Sequence, residues 1–172
     1  MYTFIYRLLT RLLTALAAMA GMMGTLHAAT GTGTLNVSAI VPDFCELTSS
    51  TVNLNMGTYL PSAESSTGAT VQVRCTVGTA ANIGLGLGLN ASGATRRMQH
   101  ATDPTVYLNY ELYKADGTTI WQAPGQAGVV AVTGDGLTQG FNMVGKIPSN
   151  QWSIKKGNYA DTVVITVTFP DP

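Results

Sequence analysis

Apolar and polar residues alternate with a period of two along most of the chain. Leu35, Val37, Ala39 and Val41 share one face of the run GTLNVSAIVP, and Val52, Leu54 and Met56 repeat the pattern. Val71, Val73, Cys75 and Val77 form a third set, and IGLGLGLN places Ile83, Leu85, Leu87 and Leu89 opposite a glycine face. Val106, Leu108, Tyr110 and Leu112, then Val163, Ile165, Val167 and Phe169, complete the series. Successive side chains of a strand point to opposite faces, so each run predicts a half-buried strand. Turn-forming clusters separate the runs: Ser62 to Gly68, Ala91 to Thr95, Ala115-Asp116-Gly117, Pro124-Gly125, Gly134-Asp135-Gly136 and Lys156-Gly157-Asn158. Beyond the first thirty residues no window carries apolar positions at helical spacing with capping signals around it. The pattern predicts an all-β chain, an immunoglobulin-like antiparallel β-sandwich. A closed barrel remains the alternative, because alternation alone does not separate the two.

The start of the chain reads differently. Arg7 and Arg11 precede a short apolar run, Leu12 to Gly24, and LHAA offers small residues for cleavage after Ala28 or Ala29. A membrane anchor would need ~20 apolar residues. Residues 1–28 are therefore expected to be a signal peptide, with no stable membrane anchoring. Leu26 is larger than cleavage sites favour three positions upstream, which leaves the cut between the two alanines open. Export implies an oxidising compartment, and the chain has two cysteines, Cys45 and Cys75. With one histidine beyond the leader, His100, they cannot complete a zinc site. A disulfide is expected, closing a loop worth about 3.5–4 kcal/mol in the chain-entropy treatment.

Composition narrows the function. The 172 residues are 45% apolar and 10% charged, enough for one domain with a real core and unlike a disordered chain. Nine Lys and Arg balance nine Asp and Glu, so no basic field exists to hold nucleic acid. No catalytic set emerges. His100 lies near Asp103 in a polar stretch, but no activated serine elbow accompanies them. GLGLG at Gly84 to Gly88 has neither nucleotide-loop spacing nor a following helix, and reads as a strand lying close under another element. Arg96-Arg97 reads as a wet surface pair, and the carboxylates lack calcium-loop spacing. Trp121 and Trp152 fit a core or rim position as well as sugar stacking. No enzyme activity, cofactor, catalytic residue or metal site is expected.

The C-terminus stops almost at once after its best strand, at Phe169-Pro170-Asp171-Pro172, which raises the possibility that no closing strand follows. Several segments, in order, are similar to one known family: GTLNVSAIVPDFC, MGTY at Met56 to Tyr59, VQVRCTVGT around Cys75, RRM at Arg96 to Met98, LNYELYKADGTTIW from Leu108, KIPSNQ from Lys146 and GNYADTVVITVTF from Gly157. On these the chain resembles the spore coat protein U domain family, which includes subunits of archaic (Csu-type) chaperone–usher pili. One departure is Asn55-Met56 before Gly57, where family members often carry an acidic residue or Asn and then Phe.

The resemblance implies an incomplete immunoglobulin-like sandwich, completed by a donated N-terminal strand from a neighbouring subunit. Residues 29–42 would be the donor segment, with Leu35, Val37, Ala39 and Val41 entering the neighbour, and residues 43–172 the pilin-like sandwich. Val163, Ile165, Val167 and Phe169 would form the inward face of the acceptor groove. The partners implied are identical or homologous pilus subunits, a periplasmic chaperone and an outer-membrane usher. The product would be a surface fibre for adhesion and biofilm formation, reached through the periplasm. A stand-alone or tip surface-binding module and a non-fibrous coat protein are the competing readings.

Overall fold

A computed structural model describes residues 28–170, so the signal peptide expected over residues 1–28 lies outside the described residues except for Ala28. The chain divides between Ala39 and Ile40. Residues 28–39 have no regular secondary structure and are exposed throughout.

The second part is built from nine strands and, among the described residues, no helix: β1 (Cys45–Leu47), β2 (Ser65–Cys75), β3 (Ala80–Leu85), β4 (Arg96–His100), β5 (Asp103–Lys114), β6 (Val130–Thr133), β7 (Thr138–Ile147), β8 (Tyr159–Ala160) and β9 (Ile165–Thr168). They form two sheets, one in the order β1-β2-β7-β5-β4-β8 and one in the order β6-β3-β9. Every pairing is antiparallel. This is an immunoglobulin-like sandwich of two sheets rather than a closed barrel. Val71, Val73, Ile83, Leu85, Leu108, Leu112, Trp121 and Ile147 are fully or almost fully buried between them. Burying each such aliphatic side chain is worth roughly 1.5–3 kcal/mol.

The predicted runs on β2, β3 and β5 supply most of this core. Two of them stop early: β2 ends at Cys75 and leaves Val77 exposed in a turn, and β3 ends at Leu85 and leaves Leu89 exposed. Gly84 is needed because Pro124 crosses directly over it, and an added Cβ would lie 2.6 Å from the Pro124 nitrogen. β4 and β7 were hidden in the sequence. On β7 the inward positions are Phe141, Met143, Gly145 and Ile147, so a glycine interrupts the apolar face. An added Cβ on Gly145 would lie 2.5 Å from the Leu54 side chain, so the glycine makes room for the segment lying over it. No helix among the described residues is long and apolar enough to cross a membrane.

Candidate functional site: an open cleft with an apolar floor

A cleft of about 730 Å³ opens between the two sheets, with Leu85, Leu108, Leu112, Met143 and Ile147 on its floor. One wall is the stretch from Val52 to Tyr59. Its side chains alternate as the sequence predicts, with Val52, Leu54, Met56 and Tyr59 half-buried against the core and their neighbours exposed. No strand is assigned there, and among the described residues no main-chain to main-chain hydrogen bond involves residues 51–58. The wall is held instead through side chains: Tyr59 donates its hydroxyl to the Pro148 carbonyl at 2.7 Å, and Ser65 donates to the Met56 carbonyl at 3.1 Å.

The other wall contains Val163 and Ile165. Here β9 is the edge strand of its sheet. The Val164 and Thr162 carbonyls accept hydrogen bonds from Gly86 and Leu89, at 2.9 and 3.1 Å, which continues the pairing of β9 with β3. In an antiparallel ladder alternate residues direct their backbone groups to opposite sides. Residues 163, 165 and 167 therefore direct theirs away from β3, along an edge with no paired strand among the described residues. The cleft thus has an apolar floor and two extended walls with no main-chain ladder between them among the described residues.

At one end of the cleft, Tyr110 donates its hydroxyl to Asp161 Oδ2 at 2.7 Å. Burial first, then the bond to the Asp161 carboxylate, push the phenol well above its ordinary range and keep it a neutral donor. His100 is 5% exposed, not solvated as its polar surroundings suggest. Its Nδ1 accepts the Thr102 N–H at 3.2 Å, leaving Nε2–H to donate to the Lys156 carbonyl at 3.1 Å. Both ring nitrogens are committed to main chain, a structural arrangement and not that of a catalytic base. Arg96, expected on a wet surface, is 1% exposed. Among the described residues no group of three or more His, Cys, Asp or Glu is placed to hold a metal.

The residues singled out from the sequence are distributed as follows. Cys45 and Cys75 form a disulfide and face each other on β1 and β2. Val163 and Ile165 line the cleft; Val167 and Phe169 are half-buried against the core, and the Phe169 ring packs edge-on against Phe44 at 6.2 Å. Leu35, Val37 and Val41 are 87%, 84% and 79% exposed, Ala39 is exposed too, and residues 28–44 contain no strand. Trp121 is a core residue whose indole N–H donates to the Ile83 carbonyl at 2.8 Å, whereas Trp152 is exposed. The sequence reading missed the opposite wall and the floor. Alternation marked Val52, Leu54 and Met56 as inward-facing, but nothing in it signalled that they would lack a ladder partner.

The described residues thus form a two-sheet antiparallel sandwich with an open cleft between the sheets. The chain belongs to the Spore Coat Protein U domain family, which it matches over residues 31–166. The family is one of structural, non-enzymatic proteins. The chain is 37% identical over 161 residues to "Protein U" of Myxococcus xanthus, covering 83% of this chain and 87% of that one. Its fold is similar to that of the chaperone–tip adhesion subunit pre-assembly complex CsuC–CsuE from the archaic chaperone-usher Csu pili of Acinetobacter baumannii. The TM-score is 0.57 at 21% identity, over 75% of this chain. A chaperone–tip adhesin complex of CFA/I fimbriae aligns at a TM-score of 0.49 and 14% identity. The chain spans 40% and 42% of the length of these two solved chains.

Proposed function

We propose that the chain is the structural subunit of a surface pilus, assembled by the chaperone–usher route through donor-strand complementation. The observation that carries this reading is the cleft: an apolar floor between two extended walls, neither with a strand partner along the facing edge. One strand of alternating apolar side chains fits such a gap and satisfies both edges at once. Residues 29–42 have that character. If extended, Thr32 to Val41 reach ~34 Å at 3.4 Å per residue. Leu35, Val37, Ala39 and Val41 would enter the neighbour's cleft, and each buried Leu or Val contributes roughly 1.5–3 kcal/mol, with Ala39 adding less.

The same reading gives the chain an export signal over residues 1–28, a donor segment over 29–42 and an acceptor sandwich over 43–172. An open apolar cleft invites aggregation, so a periplasmic chaperone would cover it until an outer-membrane usher exchanges the chaperone for the next subunit. The solved relatives include chaperone-bound subunits, which supports such a partner. The fibre would serve adhesion and biofilm formation. Surface material sheared from the native producer, run unheated and heated on a denaturing gel with disulfides intact, tests the reading. It predicts a ladder of subunit multiples that collapses on heating. A monomer band in both lanes, from cells that express the protein, would remove it.

A further inference from the structure

Arg96 stands in the polar run RRMQH yet is buried with all three guanidinium nitrogens engaged. Nε donates to the Gly86 carbonyl at 2.9 Å, Nη2 to the Leu85 and Trp121 carbonyls at 2.7 and 3.0 Å, and Nη1 to the Glu111 carboxylate. Burying a guanidinium is costly unless it is paired and hydrogen-bonded, and here every nitrogen has a partner and the charge faces a carboxylate. The partners cross the sandwich: Arg96 sits on β4 of the larger sheet, and Leu85 ends β3 of the smaller one. Gly86, held through its carbonyl, uses its own N–H to hold the Val164 carbonyl at 2.9 Å. Val164 lies between Val163 and Ile165, which line the cleft.

A second tie runs beside the first. Tyr110 is the register partner of Arg96 on β5, and its hydroxyl reaches Asp161 Oδ2 at 2.7 Å. Asp161 Oδ1 accepts from the Leu89 and Asn90 main-chain N–H groups and from Asn90 Nδ2, at 3.0 to 3.2 Å. Tyr110 therefore holds Asp161 directly, just after β8 of its own sheet, and Arg96 holds Val164 through Gly86, where the chain has passed into the other wall.

These ties answer a physical difficulty. The cleft's apolar floor of Leu85, Leu108, Leu112, Met143 and Ile147 favours closure, because closure removes apolar surface from solvent. The buried Arg96 side chain, bonded to Leu85, Gly86, Trp121 and Glu111, fixes where the end of β3 sits relative to β4 and so limits that closure. We propose that Arg96 and Tyr110 are positioning residues that hold residues 161–165 at the spacing an incoming strand needs, so that the empty domain is preorganised to accept it. The inference rests on the donor-strand reading above. Preorganisation raises affinity by raising the fraction of molecules competent to bind. The struts therefore act on capture, and a role confined to stability would not.

The test uses the exported chain, refolded to nanomolar concentration, and a fluorescent synthetic peptide with the sequence of residues 31–43. Association rate, dissociation rate and Kd are measured by anisotropy, and urea unfolding is followed in parallel. Tyr110→Phe keeps the ring and removes one strut; Arg96→Lys keeps the charge and removes the fork. The proposal expects each variant to slow association and weaken Kd about tenfold, with dissociation changed far less. Capture at the wild-type rate by both variants, with only urea stability lowered, would overturn it. Should Arg96→Lys fail to fold, Tyr110→Phe decides alone. If the wild-type chain itself captures no peptide, the donor-strand reading falls, an outcome distinct from failure of the struts.

Discussion

Val71, Val73 and Cys75 carry the same alternation as Val52, Leu54 and Met56, and the two triplets meet opposite fates. The first lies on β2, paired with β1 on one side and β7 on the other, and its side chains are 0%, 1% and 4% exposed. The second faces the same core but stays half-buried, with no ladder on either side among the described residues. Alternation specifies which face a residue presents; it does not specify whether a neighbouring strand exists. In the closed part of the sandwich burial and hydrogen bonding coincide. Along the cleft the two are separated: Val52, Leu54 and Met56 are half-buried but take part in no ladder among the described residues.

The largest effect that breaks the comparison comes from the segment proposed to fill the gap. Leu35→Asp with Val37→Asp places two charges where apolar anchors would enter, so polymer should disappear from unheated denaturing gels while the monomer stays folded by circular dichroism. An unfolded monomer would show instead that residues 35–41 belong to their own sandwich.

Next come changes on the closed side. Ile147→Ala removes a side chain that is 1% exposed and should cost about 2–5 kcal/mol in urea unfolding of the monomer. Replacing Cys45 and Cys75 by Ser should cost a similar 2–5 kcal/mol by the same measurement. Leu54→Ala sharpens the contrast. In the empty monomer the half-buried wall should lose about 1 kcal/mol or less, whereas the temperature at which polymer dissociates should fall clearly, because the donated strand would bury that side chain.

The smallest effect is acidic. Hydrogen bonds from Thr119 and Thr118 hold the Asp116 carboxyl well below its usual range, bonds from Thr105 lower Asp103, and the Leu137 N–H lowers Asp135. A carboxyl depressed in the folded state contributes stability that is present above its unfolded value, about 3.9, and is lost as pH falls through the folded one. Urea midpoints should therefore stay level down to about pH 5 and decline below it. Asp116→Ala should lower the neutral midpoint slightly and make the acid decline shallower. An equally steep decline in that variant would show that the turn does not contribute.

Much of the fold was legible because burial repeats with the strand period. Leu108, Tyr110 and Leu112 could be assigned inward from spacing alone, and so could Val71 and Val73. β7 could not, because Gly145 breaks its apolar face for a tertiary reason, the overlying Leu54. β4 could not either, since its buried residues include Arg96 and His100, and polar side chains enter a core only when distant partners satisfy them. Of the cleft, Val163 and Ile165 were readable as inward residues. Its floor and second wall depend on which segments lack a ladder partner among the described residues, and local pattern carries no mark of that.

The central claim is that residues 35–41 of one subunit lie along the open edge of β9 in another. Val37→Cys combined in turn with Val163→Cys, Ile165→Cys and Val167→Cys tests it most directly. Facing residues of paired strands bring their Cα atoms to about 4.5–5.5 Å, within disulfide reach. Under mild oxidation the account predicts that at least one pair yields a covalent ladder that survives boiling and collapses with reductant. Only monomer from all three pairs, in cells that still assemble polymer, would contradict it.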